Sequence, residues 1–259
     1  MPRPTYYRLR GEPEPGPAED PIADAVGEEF RKSGGRYGAR RIKRALAKRG
    51  VTASRRRIGE VMKSRNLASR YTKAKFKPHP DRHNEADLPN VLNREFDGHA
   101  PHTHVVSNLA YARALGAWCY ICLLVDLYNR EIVGHAAGAR KDASLVKAAF
   151  AAVPFSLFGI DVFHGDRGSE FDNAALDELF EVFGITRSPS KKGCPYDNAV
   201  DESTNKTFKA EFVYREQFGS LHDLQVKLND YVWCYSNERM HSTLGYMSPV
   251  EFGKAGLSL

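Results

Sequence analysis

The chain has 259 residues, of which 42% are hydrophobic and 27% charged, as in globular proteins rather than fibrous or disordered ones. No stretch approaches the roughly 18 consecutive apolar residues of a membrane-spanning helix, and the first residues lack the apolar segment of a signal peptide. The composition therefore argues against a membrane protein and predicts a cytoplasmic one.

The positive charge is concentrated in one segment of the chain. The formal net charge is +6, yet residues 31–77 contain eighteen Lys and Arg and a single acid, Glu60. The whole chain has 38 basic and 32 acidic residues, so the part outside residues 31–77 has 20 basic and 31 acidic residues and a net negative charge. A basic segment joined to an acidic body predicts a polyanion-binding module beside a separate core.

The first third of the chain is predicted to contain a small helical domain. Residues 1–19 are rich in Pro and Gly and are expected to form a flexible lead-in. Within residues 20–72, apolar residues recur at helical spacing in three stretches, at 21–32, 38–48 and 54–65. Three short helices with basic outer faces suit a helix-turn-helix DNA-binding unit, and the alternative is the solvated surface of an ordinary helical bundle. The basic residues predicted to contact DNA are Arg40, Arg41, Arg55, Arg56 and Arg57.

Beyond a predicted linker at residues 73–100, the apolar pattern changes from helical spacing to alternation. Three strands are predicted at residues 104–111, 118–125 and 131–137, with turn-length connections typical of an antiparallel meander. Helices and short strands then alternate: a helix capped by Asp142, a strand at 160–164, a helix at 173–183 and a strand at 185–188. This order predicts an α/β fold of RNase H type at residues 101–255, although other mixed sheets share the order.

Four cysteines are too few for a disulfide framework in a chain of this length, so their spacing bears on metal binding instead. His79 and His83, followed by Cys119 and Cys122, imitate the ligand order of a zinc site. However, the two cysteines fall in a predicted buried strand, where residues three apart point to opposite faces. We therefore expect both cysteines to be core residues. We expect the same of the two tryptophans, Trp118 and Trp233.

Two acidic residues stand out because of their surroundings. Asp166 ends a short apolar run, and Glu202 follows after 35 intervening residues at the start of a helical pattern. At 100° per residue, Glu202 shares the outward face of that helix with Lys206 and Lys209. One carboxylate at a strand end and another on a helix are what a divalent-cation site for phosphoryl chemistry requires.

Three motifs of the chain are distinctive, namely the stretches 164–171 (HGDRGSEF), 194–199 (CPYDNA) and 237–249 (NERMHSTLGYMSP). They resemble motifs of bacterial insertion-sequence transposases. They match the OrfB half of the IS-three type, and residues 37–42 (YGARRI) resemble the helix-turn-helix segment that precedes the core in that family. The resemblance covers residues 20–255. It implies a retroviral integrase-like core with a mixed five-stranded sheet, preceded by a small all-α helix-turn-helix domain.

The family's catalytic set is Asp, Asp and Glu, with 35 residues between the last two and a basic residue seven positions further on. Asp166, Glu202 and Lys209 match this set, but Asn108 stands where the first Asp is expected. An Asn side chain offers one neutral carbonyl oxygen and a donating amide, so it neither bridges two cations nor adds negative charge. If each lost contact costs a few kcal/mol in the transition state, rates should fall by at least about 10² to 10³.

Three other acids are candidates to replace the missing carboxylate, and the sequence places none of them well. Asp97 precedes the first strand, and Asp126 lies at the far end of the second. Asp201 is about 100° around the helix from Glu202, so we expect it to support a metal only weakly.

The resemblance implies a DDE transposase that uses Mg²⁺ or Mn²⁺ in a two-metal site to cut and join DNA. The implied metal ligands are Asp166 and Glu202, with Asn108 as a weakened third. The expected DNA contacts near the site are Lys206, Lys209, Lys191 and Lys192. The expected partners are double-stranded DNA, as terminal inverted repeats and target, further copies of the chain, and an OrfA partner or fused segment. The alternatives are a catalytically inactive DNA-binding derivative and an RNase H-type nuclease.

Overall fold

The computed structural model describes residues 20–69, 90–190 and 195–259. The chain divides into two compact units, with the boundary between residues 72 and 73. The predicted lead-in, most of the predicted linker, both histidines of the zinc-like pattern, and Lys191 and Lys192 lie outside the described residues. No helix in the described ranges is both long and apolar enough to cross a membrane.

The N-terminal unit consists of three short helices at the positions that the sequence predicts. They are α1 (Ala23–Lys32), α2 (Ala39–Lys48) and α3 (Arg55–Ser64). Their inward faces form a core that includes Val26, Ile42, Leu46 and Ile58, all completely buried. Because the apolar residues occupy one side of each helix, most of the Lys and Arg side chains remain on the outer sides.

The C-terminal unit is built on a mixed five-stranded sheet. Its strands are β1 (His104–Ala114), β2 (Ala117–Asp126), β3 (Ile132–Gly138), β4 (Val162–Gly165) and β5 (Thr186–Pro189). Their spatial order is β3-β2-β1-β4-β5. The first three strands pair antiparallel, whereas β4 pairs parallel with both β1 and β5. The predicted meander, followed by alternating helices and strands, is therefore confirmed.

Helices cover both faces of this sheet. They are α4 (Ala143–Ala151), α5 (Ala174–Phe183), α6 (Ala199–Phe208), α7 (Leu221–Asn237) and α8 (Pro249–Lys254), and a π-helical segment, Lys209–Val213, continues α6. On one face, α4 and α5 contribute apolar side chains to the core, and on the other face α6 and α7 do so. Strand residues alternate between the two cores because successive side chains point to opposite faces of a sheet.

The two cysteines of β2 show this alternation. Cys119 belongs to the core beneath α6 and α7, whereas Cys122 belongs to the core beneath α4 and α5. Both are buried, and burial raises the pKa of the Cys122 thiol to about 12. The prediction that these cysteines are core residues on opposite faces is therefore confirmed.

Both tryptophans contradict the prediction that they are core residues. Trp118 is 48% exposed and Trp233 is 58% exposed. At the β1–β2 hairpin, the Trp118 ring packs edge-on against Tyr111 at 5.3 Å and lies 4.6 Å from the Arg113 guanidinium. The alternation of a strand fixes which face a side chain occupies, but it does not tell whether a helix covers that position.

Candidate carboxylate site

Asn108 lies within β1, on the face of the sheet that α6 and α7 cover. Its neighbours at period two, Val106 and Ala110, both belong to the core beneath these helices, so Asn108 points the same way. β1 pairs in parallel with β4 through Val106 and His164. Two residues beyond that pair come Asn108 on one strand and Asp166 on the other. The register therefore brings these two residues level on adjacent strands.

Asp166 directly follows β4 and is half-buried at its carboxyl end. Its Oδ1 accepts a hydrogen bond of 3.0 Å from the Gly168 N–H. A Cβ atom at Gly168 would lie 2.3 Å from a carboxylate oxygen of Glu170, which is buried and pairs with Lys141 at 3.0 Å. The loop after β4 is therefore closely packed, and it holds Asp166 at a defined place.

His164 ties the start of α6 to β4. Its Nε2 lies 2.8 Å from the carbonyl oxygen of Asp197, and its Nδ1 lies 3.1 Å from the Ser188 Oγ. Burial lowers the pKa of His164 and so favours the neutral ring. The buried Asp197 carboxylate accepts a 2.6 Å hydrogen bond from Arg94. Because Asp197 comes just before α6, these bonds position the first turn of α6 beside the end of β4.

Two adjacent carboxylates in the first turn of α6 point in different directions. Glu202 is exposed, as the helical angles predict, and partial burial raises its pKa. Asp201 is only 3% exposed, and its carboxyl lies near the Asn108 side chain. Burial, together with the nearby carboxylates of Asp166 and Glu202, raises the pKa of Asp201 to about 8. The 100° offset from Glu202 therefore turns Asp201 into the site rather than away from it.

Lys209 lies next to these acids at the start of the π-helical segment. Burial lowers the pKa of Lys209, and the charge of Asp201 partly offsets this effect. The Lys209 ammonium also lies 5.5 Å from the centre of the Tyr111 ring. Lys206, one turn earlier, is exposed. The structure thus brings Lys209 to the carboxylates and leaves Lys206 on the open surface.

The other two acids that the sequence offered as replacements have structural roles. Asp97 pairs with the buried Arg130. Asp126 is buried and accepts hydrogen bonds from the His102 and Tyr128 N–H groups at 2.9 and 3.1 Å. Burial raises the pKa of Asp126. Neither side chain is therefore available to replace the carboxylate that is missing at position 108.

The donor set at this edge of the sheet fits a divalent cation, although the side chains are not preassembled around one. Within the described ranges, no three His, Cys, Asp or Glu side chains are already grouped so as to hold a metal ion. Asp166, Asp201, Glu202 and Asn108 nevertheless offer the oxygen atoms that Mg²⁺ and Mn²⁺ prefer. The Oδ2 atom of Asp201 is buried and has no hydrogen-bond partner among the described residues. A cation would give this oxygen a partner.

The five arginines predicted to contact DNA differ in their surroundings. Arg40, Arg55 and Arg56 are exposed, whereas Arg41 and Arg57 are partly buried. Arg57 donates two hydrogen bonds of 2.7 Å to the Asp20 carboxylate. Arg57 therefore also links α3 to the residues before α1, and DNA contact stays a prediction for all five.

Both units match families of known proteins. Residues 98–195 and 183–249 match two integrase core domain families, and residues 17–75 match an HTH-like domain family. The chain is 33% identical to the uncharacterized 31 kDa protein of insertion element IS600 from Shigella sonnei, over 83% of this chain and 80% of that protein. It is 29% identical to the transposase for insertion sequence element IS904 from Lactococcus lactis subsp. lactis (strain IL1403), over 90% of this chain and 93% of that protein.

Among solved structures, the chain is similar to the HTLV-2 integrase catalytic core domain in complex with magnesium, with 13% identity and a TM-score of 0.45. This similarity covers 65% of the present chain and 99% of the other. The predicted RNase H-like core of integrase type, with its mixed five-stranded sheet and its N-terminal helix-turn-helix region, is confirmed. The chain belongs to the IS3 family of insertion-sequence transposases, which are DNA-binding polynucleotidyl transferases of the DDE type.

Proposed function

We propose that this chain cuts and joins the ends of its own insertion sequence by metal-dependent phosphodiester cleavage and strand transfer. The observation that supports the proposal concerns Asp166 and Glu202, which are carried to the same edge of the sheet by β4 and α6. The first is fixed at the end of β4, and the second lies on a helix that His164 anchors to the same strand. The charges of Asp166 and Glu202 both raise the pKa of the buried Asp201, which supports a common site for the three acids.

The metal proposed for this site is Mg²⁺ or Mn²⁺, in a two-metal arrangement. Bound there, it would activate water or a 3′-hydroxyl for in-line attack and stabilise the leaving oxygen. Asp166 and Glu202 would hold it, and Asn108 would contribute its neutral amide oxygen. The neighbouring Lys209 would bind a phosphate of the transferred strand, and Lys206, Lys191 and Lys192 would bind phosphates further along the DNA.

The partners follow from the family. We propose that Arg40, Arg41, Arg55, Arg56 and Arg57 bind the terminal inverted repeats. Target DNA, a multimer that pairs the two ends, and an OrfA partner or fused segment would complete the active assembly. The second candidate function is a DNA-binding derivative without chemistry, and the observation that favours it is the Asn at position 108. The sequence-based prediction that Asn108 lowers the rate applies if no other carboxylate replaces the missing one.

The test is Mn²⁺-dependent strand transfer with oligonucleotides that carry the inverted repeats flanking the gene. Asp166→Asn and Glu202→Gln should each reduce the rate by at least about 10²-fold, because each removes a charge that stabilises the transition state. Asp230→Asn, which changes an exposed carboxylate on α7, is the matched control and should leave the rate unchanged.

Three outcomes decide between the functions. Loss of strand transfer in both site variants, with the control intact, supports the transposase. Specific binding of the ends by a chain that shows no strand transfer with any divalent metal would instead support the inactive derivative. Preferential cutting of the RNA strand in an RNA–DNA hybrid would favour the nuclease.

A further inference from the structure

The Asp201 carboxyl group is a buried acid that the family's catalytic pattern does not explain. It is 3% exposed, and its Oδ2 atom has no hydrogen-bond partner in the described part of the chain. A buried carboxylate without compensating partners is costly, so such groups are kept where they bind something or carry a proton. The neighbours of Asp201 indicate which of these applies.

Those neighbours are the residues of the candidate site. The Asn108 side chain lies near the Asp201 carboxyl, and an amide that donates there favours the charged form of the acid. Asp166 and Glu202 lie close enough to repel the charge on Asp201, while Lys209 attracts it. Asp201 therefore lies at the point where β1, the end of β4 and α6 meet.

We propose that Asp201 supplies from α6 the carboxylate that β1 lacks, so that the divalent cation is bound by Asp166, Asp201 and Glu202. This inference rests on the proposed function and deepens it by reassigning one ligand. Asn108 then acts as a positioning residue, which orients Asp201 by donating its amide N–H. The site keeps the charge of three carboxylates even though the strand position is neutral.

The pairing of the two residues has a simple electrostatic reason. An Asp at position 108 would place a second negative charge near the buried Asp201, and neighbouring like charges repel strongly in a poorly hydrated site. An Asn of nearly the same shape replaces this repulsion with a hydrogen bond. The Asn at 108 and the Asp at 201 are thus complementary, and the carboxylate has moved from the strand to the facing helix.

The competing explanation is that Asp201 is a protonated, purely structural acid. In that case its hydroxyl hydrogen bonds to the Asn108 carbonyl, and the cation is held without it. Removing the charge of Asp201 would then leave metal affinity unchanged, and restoring Asp at 108 would repair a defective site. The two explanations therefore make opposite predictions for the same variants.

The experiment measures Mn²⁺ binding to the full chain by electron paramagnetic resonance, together with strand transfer. Asp201→Asn should weaken Mn²⁺ binding by at least about tenfold, because even supporting residues of a metal site are worth 10- to 100-fold in affinity. The exchange variant Asn108→Asp/Asp201→Asn returns the carboxylate to the strand and should recover Mn²⁺ affinity to within about threefold of the unaltered chain. Asn108→Asp alone should raise strand transfer by less than about tenfold, because a carboxylate is already present. Asp230→Asn is the control for the loss of one carboxylate.

Several results would overturn the proposal. An unchanged Mn²⁺ affinity in Asp201→Asn would contradict it. A gain in strand transfer of 10²-fold or more in Asn108→Asp would also contradict it, since that gain would mark position 108 as a simple defect. If Asp201→Asn loses affinity and the exchange variant does not regain it, the effect of Asp201 is structural and the proposal fails. Failure of the proposed function looks different, because the unaltered chain would then show no strand transfer with any divalent metal, or Asp166→Asn and Glu202→Gln would bind Mn²⁺ as the unaltered chain does.

Discussion

The ion pair between Arg239 and Glu211 holds the segment that carries Lys209. The Arg239 Nε and Nη2 atoms donate to the two carboxylate oxygens of Glu211 at 2.9 and 3.0 Å, and both residues are buried. Burial alone would lower the pKa of Arg239, yet the Glu211 carboxylate raises it above its ordinary value. Glu211 belongs to the π-helical segment that begins at Lys209. The shape of this segment therefore depends on a charge pair that lies away from the carboxylates of the candidate site.

Breaking this pair should destabilise the protein strongly. We expect Arg239→Met to lower the free energy of unfolding by about 3–5 kcal/mol, because it leaves the Glu211 charge buried without a counter-ion. Urea denaturation followed by circular dichroism measures the loss. The double variant Arg239→Met/Glu211→Leu should recover most of it, since neither charge remains. Arg140→Met, which removes an exposed partner of Asp142, is the control and should not shift the urea midpoint. An Arg239→Met protein as stable as the unaltered chain would contradict this account.

At the scale of elements, α4 lies directly against β3 at Gly134. A Cβ atom at this position would come within 2.5 Å of the Ala149 carbonyl oxygen and 2.9 Å of the Leu124 Cδ1 atom. The contact with backbone cannot be relieved by a rotamer change, so the helix or the strand would have to move. The fit of α4 on the sheet therefore depends on the absence of a side chain at residue 134.

Gly134→Ala should consequently cost about 1–3 kcal/mol of unfolding free energy, as overpacked cores do. Gly159→Ala is the matched control, because no heavy atom lies within 4 Å of its Cβ position. The control should change the free energy of unfolding by no more than about 0.5–1 kcal/mol, and we expect an increase. Thermal melting of both variants checks the prediction. Equal melting temperatures for the two would show that the contact between α4 and β3 tolerates a side chain at residue 134.

Most elements of the fold could be predicted because each has a local chemical cause. The helix that starts after Asn173 is capped by that side chain, and the alternation along β1 and β2 places Cys119 and Cys122 in different cores. What the sequence could not supply is what lies opposite a given side chain. The angle around α6 correctly separates Asp201 from Glu202, but only the packing of α6 over β1 shows that Asp201 meets Asn108. The exposed Trp118 was mispredicted for the same reason.

At the scale of the whole molecule, the arginines proposed to bind DNA and the candidate carboxylate site lie in parts of the chain with opposite net charge. Residues 31–77 carry eighteen Lys and Arg against one acid, whereas the rest of the chain is net acidic. Binding to DNA phosphates releases condensed counterions, and each contact adds to the salt dependence of the affinity. The exposed arginines of α3 are therefore expected to contribute to affinity without affecting the carboxylate site.

Replacing Arg55 and Arg56 together by Ala should reduce the slope of log Kobs against log salt concentration by about 2, because each lost phosphate contact is worth roughly 0.9 in that slope. Fluorescence anisotropy with the full chain measures this, and the affinity should fall to a similar extent for related and unrelated DNA sequences. Lys147→Ala removes an exposed charge from α4 in the acidic unit and should leave the slope unchanged. Mn²⁺ binding should be the same in all three proteins. An unaltered slope in the arginine variant, or an equal decrease in Lys147→Ala, would mean that the DNA-binding surface is not on α3, and that the uneven charge along the chain serves another purpose.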